Sequence, residues 1–301
     1  MSARIFIDGQ AGTTGLGIAQ RLEQAGGFSL VTLSESRRKD PEARAEAMAE
    51  ADLTVLCLPD DAAREAVSIA PQGARILDAS TAHRVVEGWV YGFAEAMAGQ
   101  AERIAQASRV SNPGCYATGA IALLRPLTAL GLLAPETAVS INAVSGYSGG
   151  GKAMIADHEA KGGPAFELYA LGLKHKHLPE IVRYAGLAKP PIFVPSVGHF
   201  AQGMLVCVPL HLAQLTKAVS AAHLVEAYAD YYAGAETIAV RRGIWSHNLD
   251  PQALNGTNQL EIFICAHEEA GQAVLIARLD NLGKGASGAA VQNINLMLGR
   301  E

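Results

Sequence analysis

Apolar and polar positions in the first third of the chain alternate between short β-branched runs and longer runs rich in alanine and leucine. Arg4-Ile5-Phe6-Ile7-Asp8 reads as a strand, Gly9-Gln10-Ala11-Gly12-Thr13-Thr14-Gly15 as a tight glycine turn, and residues 16–23 as an amphipathic helix. Residues 28–33, 53–58, 74–78 and 108–111 read as further strands. A helix follows the strand at 53–58 over 62–67, with Asp60 or Asp61 at the position of an N-terminal cap. Strands that alternate with helices in this way imply a parallel sheet wound on both faces.

The pattern changes after Asn112-Pro113-Gly114, a strong turn signal. The run from Ala117 to Arg125 has the composition and length of a buried helix, and residues 139–144, 205–210 and 260–265 read as strands without regular crossover helices. The expected fold class is α/β: a Rossmann-type doubly wound parallel sheet plus an α+β domain with a mixed or antiparallel sheet. The first domain is expected over residues 1–114, rejoined by a C-terminal helix within 284–301, and the second over 115–283.

Composition narrows the function. A chain of 301 residues, 50% hydrophobic and 18% charged, is long enough for two such cores. A net charge of −5 without a long basic run argues against a nucleic-acid surface, although a phosphorylated small molecule needs only a few well-placed donors. Four scattered cysteines suit neither a disulfide framework nor a metal cluster and fit a reducing, cytoplasmic setting. No run of 18 apolar residues predicts a membrane span, and the immediate first strand predicts no signal peptide.

One cysteine stands apart. Cys57, Cys207 and Cys265 lie within apolar runs that read as core strands, where a thiol is an inert small hydrophobe. Cys115 follows a turn and opens a helix, beside N–H groups and the positive end of the dipole, which favour the thiolate. The nucleotide signals lie upstream. Gly9, Gly12 and Gly15, with Thr13 and Thr14 between them, form a G-x-x-G-x-x-G turn between strand and helix, suited to a pyrophosphate. At the end of the second strand, Ser34, Ser36, Arg37 and Arg38 offer a socket for a 2′-phosphate, which favours NADP over NAD, whereas Glu35 alone would serve the ribose of NAD. The fourth and fifth strands lead to a polar loop with Arg84 and to Cys115, so nucleotide site and nucleophile are expected at the same sheet edge.

A proton donor and acceptor is expected in Lys174-His175-Lys176-His177-Leu178-Pro179-Glu180. Two imidazoles two residues apart share a face if extended, Glu180 is placed to orient one, and His177 is preferred to His175. A metal site at this pair lacks further ligand spacing, so no metal is expected. In Ser145-Gly146-Tyr147-Ser148-Gly149-Gly150-Gly151-Lys152 the donors suit a substrate carboxylate or phosphate, while the glycines equally suit a closing loop. Asn281, Gly283, Lys284 and Gly285 open the last helix, 289–298, as a second glycine-rich helix start near the nucleotide. His199 is expected to pack within the second domain.

The motifs GQAGTTGLGI (9–18), DASTAHR (78–84), SNPGCYATG (111–119), SGYSGGGK (145–152), ELYALGLKHKHLPEI (167–181) and NLGKGASGAAVQNINL (281–296) occur in order over nearly the whole chain. In these residues the chain resembles the N-acetyl-gamma-glutamyl-phosphate reductases of arginine biosynthesis, in their shorter form, and more distantly aspartate-semialdehyde dehydrogenase. The resemblance implies NADPH-dependent reduction of a small acyl phosphate to a semialdehyde with release of phosphate. Cys115 would carry the thioester, and His177, His175 and Glu180 the proton traffic. It further implies substrate contacts from Arg84, Asn112, Ser145, Gly146 and Lys152, and a homodimer or homotetramer assembled through the second domain. The residues alone leave open a reductase of another acyl phosphate, a cysteine acyltransferase or hydrolase without nicotinamide, and a nucleotide-binding redox sensor.

Overall fold

A computed structural model of the chain describes residues 2–300. The chain forms two compact units, one running up to Pro113 and taking in Ala286 onward, the other Gly114–Gly285. The first comprises β1 (Ala3–Asp8), α1 (Thr13–Ala25), β2 (Phe28–Val31), α2 (Pro41–Glu50), β3 (Leu53–Leu56), α3 (Asp60–Ile69), β4 (Ile76–Asp78), β5 (Val90–Tyr91), α4 (Gln100–Gln106) and β6 (Arg109–Ser111). The strands lie in the order β2-β1-β3-β4-β6-β5, and every pair is parallel. Alternate side chains serve the two faces. Ile5, Ile7, Val55 and Val110 pack with Ile18, Leu22, Ile104 and the C-terminal Ile294 and Met297, whereas Phe6, Leu56 and Ile76 pack with Ala47, Met48, Ala63 and Ala66. Burial on both faces explains the continuous apolar runs. Because β2 and β3 flank β1 on opposite sides, the crossovers reverse direction at β1, and a ligand crevice opens at such a switch point.

Three details differ from the sequence reading. Helix α1 begins at Thr13, so Thr13, Thr14 and Gly15 form its first turn. Asp60 is the first residue of α3, whose N-cap is Pro59, and its carboxylate accepts from the N–H and hydroxyl of Thr81. Helix α2 has little amphipathic signal, yet Asp40 caps it by accepting from the N–H groups of Glu42 and Ala43, with Pro41 preset for the first turn.

The second unit comprises α5 (Cys115–Ala129), β7 (Ser140–Gly146), α6 (Gly151–Lys161), β8 (Phe166–Leu168), α7 (Leu178–Ala185), β9 (Ile192–Gly198), β10 (Met204–His211), α8 (Ala221–Tyr231), β11 (Ile238–Val240), β12 (Leu260–His267) and β13 (Gln272–Leu279). Its sheet, β11-β12-β13-β10-β7-β9-β8, mixes parallel pairs (β11/β12, β7/β9) with antiparallel ones. Helix α5 covers one face, lying so close that a Cβ at Gly119 would meet Val206 at 2.6 Å. Helix α8 joins it there, with the Tyr232 hydroxyl donating to the Ala122 carbonyl at 2.9 Å. The opposite face carries Leu205, Cys207, Val274, Ile276 and Cys265, all half-buried.

The chain leaves this unit through a π-helical turn, Gly283–Ser287, before α9 (Gly288–Leu298). The return falls two residues later than the sequence suggested, because Lys284 and Gly285 are held by the second unit. No helix among the described residues is long and apolar enough to cross a membrane.

Candidate active site

Cys115 is the first residue of α5, behind an N-cap glycine, Gly114, in extended conformation. The first-turn N–H groups of a helix have no acceptor within it, and with the dipole they stabilise an anion at this position. The site gathers around that turn within the second unit. Glu180, 1% exposed, accepts a hydrogen bond from the Gly114 N–H at 3.1 Å. Its other oxygen lies 4.0 Å from His177 Nε2. One carboxylate thereby holds the backbone ahead of Cys115 and faces an imidazole.

The two histidines are not on an extended segment. A turn closed by Leu178 N–H to the His175 carbonyl precedes α7, and His177 is the N-cap residue of that helix. The turn buries both imidazoles and leaves Lys174 and Lys176 exposed, so this is no exposed basic loop. The rings lie edge to face, centroids 4.7 Å apart. His175 Nδ1 accepts from the His177 N–H at 3.1 Å, and its Nε2 lies 3.3 Å from the Tyr169 hydroxyl. Tyr116 and Phe193 complete the wall, their ring centroids 5.8 and 5.0 Å from that of His175. Burial, with Tyr169 and Cys115 close by, holds the Tyr116 hydroxyl far above its ordinary range, and burial pushes that of Tyr169 up to about 12. Both remain neutral donors. Among the described residues, no three His, Cys, Asp or Glu side chains converge as a metal site.

Other singled-out residues of this unit have structural partners. Buried Ser145 donates to the Gly146 carbonyl at 3.0 Å. Lys152 is exposed in the first turn of α6. Asn281 accepts from the Gly203 N–H and donates to Ser148 Oγ, fastening the glycine-rich loop after β7. Lys284, 1% exposed, donates to Thr237 Oγ1 at 2.6 Å. Gly283 and Gly285 lie in the π turn, where a Cβ at Gly285 would come within 2.9 Å of Cys115 Cβ. His199 pairs with His158 through their Nδ1 atoms, 2.9 Å apart.

The first unit holds a cleft at the switch point. A cavity of about 330 Å³ is lined by Asp8, Gly9, Gln10, Ala11, Leu16, Leu33, Arg38 and Leu58, among others. Gly9 has φ +85°, and a Cβ there would run into the Cys57 carbonyl. A Cβ at Gly15 would meet Gln10 and Gly9 at 2.8 Å, so the turn closes only with glycine at both places. Gly12, the N-cap of α1, keeps its nearest backbone 3.4 Å from a hypothetical Cβ. A bare glycine turn, a helix N-terminus and an open cavity fit the pyrophosphate of a dinucleotide.

At the cleft's rim, Arg38 contacts Glu35 at 2.9 Å, and the Ser34 and Ser36 hydroxyls are 3.2 Å apart. Arg37 instead turns to Glu46 of α2 at 3.1 Å. Sequence reasoning passed over Asp8 and Arg44. Buried Arg44 reaches across from α2 to bond Asp8 at 2.8 and 2.9 Å. Burial raises the Asp8 pKa, an effect the arginine opposes. An arginine within an Ala/Glu-rich helix gives no hint of burial. Arg84 is likewise buried, its Nε donating to the Asn112 carbonyl at 3.0 Å, while the Asn112 amide donates to Ala286 and accepts from Asn293.

Comparison with known proteins bears on this arrangement. Residues 115–281 match the family model described as semialdehyde dehydrogenase, dimerisation domain. The chain is 52% identical to N-acetyl-gamma-glutamyl-phosphate reductase of Chelativorans sp. (strain BNC1), over 99% of each chain. It is 53% identical to N-acetyl-gamma-glutamyl-phosphate reductase 2 of Pseudomonas putida, over 98% of this chain and 96% of that one. Among solved structures, aspartate semialdehyde dehydrogenase II of Vibrio cholerae, complexed with ASA, shares the fold with a TM-score of 0.76 at 15% identity, over 99% of both chains. Near-complete coverage at about half identity settles membership: the chain belongs to the N-acetyl-gamma-glutamyl-phosphate reductase family, oxidoreductases that act on an acyl phosphate.

Proposed function

We propose that this protein catalyses the NADPH-dependent reduction of N-acetyl-L-glutamyl 5-phosphate to N-acetyl-L-glutamate 5-semialdehyde, releasing phosphate, with Cys115 as the covalent carrier. The observation that carries the reading is the buried Glu180 carboxylate, which holds the backbone ahead of Cys115 and faces His177. The Cys115 thiolate, favoured by the α5 N-terminus, adds to the acyl carbon; the carbon–oxygen bond to phosphate breaks and a thioester remains. N–H groups of the same helix turn, including that of Cys115, receive the negative charge that develops on the carbonyl oxygen. His177 protonates that oxygen as the thioester carbon is reduced. It takes the proton back as the carbon–sulfur bond breaks and the aldehyde leaves. Glu180 stabilises the imidazolium form that exists before the first transfer and again after the second.

Family membership implies a nicotinamide cofactor. When bound, it supplies the hydride for the reduction. Gly9, Gly12, Thr13, Thr14 and Gly15 would hold the pyrophosphate, and Arg38 with Ser34 and Ser36 the 2′-phosphate, which favours NADPH. Arg37, engaged with Glu46, would add long-range charge. Asn281, Gly283, Lys284 and Gly285 serve the cofactor only indirectly, by shaping the chain beside Cys115. Arg84 and Asn112 likewise order the loop after β4, while Ser145, Gly146 and Lys152 remain the candidates for the substrate's anionic groups. The dimerisation-domain match supports an oligomer, with a homodimer or homotetramer built on the half-buried face of Leu205, Cys207, Val274 and Ile276. A cytoplasmic location suits four reduced cysteines.

The test runs the reaction in reverse: phosphate-dependent reduction of NADP with N-acetylglutamate semialdehyde, followed by absorbance. Cys115→Ala is expected to lower kcat by on the order of 10³-fold or more, and Cys115→Ser to do so with cofactor binding retained. Undiminished turnover in Cys115→Ala would refute the mechanism.

A further inference from the structure

The turn that carries His175 continues into a hydrogen-bond chain whose direction is fixed from His177 through His175 to Tyr169. His175 Nδ1 accepts from the His177 N–H, so that nitrogen carries no proton. A neutral imidazole has one N–H, which must therefore sit on Nε2, 3.3 Å from the Tyr169 hydroxyl oxygen. Tyr169 accepts there, and its ring lies 6.5 Å from that of Tyr116. Tyr116 donates to the Ser196 carbonyl in β9 at 2.8 Å. The hydrogen-bonded run is His177 N–H, His175, Tyr169, and Tyr116 packs its ring edge to face on that of His175. His175 and Tyr116 are buried, and the chain lies among Phe193 and the His177 ring.

We propose that Tyr169 is a positioning residue: it locks His175 in the neutral Nε2–H form and, through the His175 Nδ1, helps pin the backbone from which His177 reaches the reaction. A second proton on His175 would have to enter at Nδ1 and break the bond to His177. His175 thus supports and does not shuttle, which separates the roles of the two imidazoles. Tyr116 directly follows Cys115, and its ring packs on those of His175 and His177, so ring contact joins the start of α5 to the turn before α7. The role given to His177 rests on the function proposed above; the tautomer of His175 does not.

Two measurements on the full chain test this. Nitrogen-15 spectra of ring-labelled histidine in the wild type should show His175 as a single Nε2–H tautomer that takes up no proton across about pH 6–8. A His175 that titrates there, or carries its proton on Nδ1, overturns the proposal. Tyr169→Phe keeps the ring and deletes one oxygen; kcat should fall about five-fold with both KM values within about two-fold, and His175 should begin to titrate. Wild-type kcat with an unchanged His175 spectrum in that variant would refute the lock. If the wild type fails to reduce NADP while its His175 spectrum is as expected, the proposed function falls and the tautomer lock stands.

Discussion

At the scale of single residues, the four cysteines differ by surroundings and not by type. Burial, with Asp78 and Asp8 nearby, pushes the Cys57 thiol up to about 12, and burial beside Cys265 raises Cys207 to about 11. Neither forms appreciable thiolate near neutral pH, whereas Cys115 occupies a helix N-terminus that favours the anion. Arg38 is the residue on which cofactor choice is expected to turn, since it alone of the basic run lines the cleft beside Gly9. In Arg38→Ala, the KM for NADPH should rise about ten-fold, the loss of one charge-assisted contact, while that for NADH stays within about two-fold. Equal rises for the two cofactors would show that the arginine does not read the 2′-phosphate.

At the scale of elements, the decisive object is the π-helical turn Gly283–Ser287, which presses Gly285 against Cys115. A π turn inside or before a helix is uncommon and recurs at functional sites. Here it lets the backbone lie against the first turn of α5 without a side chain between them. Gly285→Ala introduces a methyl 2.9 Å from Cys115 Cβ and 3.1 Å from the Asp280 carbonyl, so one of these backbones must shift. A cost of about 1–3 kcal/mol to stability is expected, read as a lower melting temperature. A loss of up to about 10²-fold in kcat should accompany it, because small displacements of a nucleophile are costly. A variant with reduced stability but full kcat would assign the glycine to packing alone.

At the scale of the whole molecule, the seven-stranded sheet is covered on one face by α5 and α8 and carries a half-buried apolar set on the other. Apolar surface of this kind, in a region matched by a dimerisation-domain model, is expected to be buried against a second copy. Ile276→Asp places a carboxylate in the middle of that face, paired across the sheet with Cys207 and Phe263. Sedimentation or size exclusion with light scattering should then show a smaller assembly than the wild type. An unchanged mass would move the interface elsewhere.

The glycine turn, the strand-and-helix alternation and the helix start at Cys115 were legible along the chain because each is a local property. Turn chemistry, strand burial on two faces and a helix start are written in consecutive residues, and so were Gly9, Gly12, Gly15 and the element that begins at Cys115. The partners were not legible, since they come from residues distant in sequence. Glu180 meets Gly114 across 66 positions, Arg44 meets Asp8 across 36, and Tyr116 meets Ser196 across 80. The same holds for Arg84, Asn112 and Lys284, whose charges or amides look available in sequence and are engaged inside the fold. The sequence by itself determined the fold class and where a thiolate is favoured. Tertiary structure alone decided which polar groups are spent on holding the chain and which imidazole accepts from the other's backbone, because burial drives donors and acceptors to pair and that pairing sets direction and tautomer.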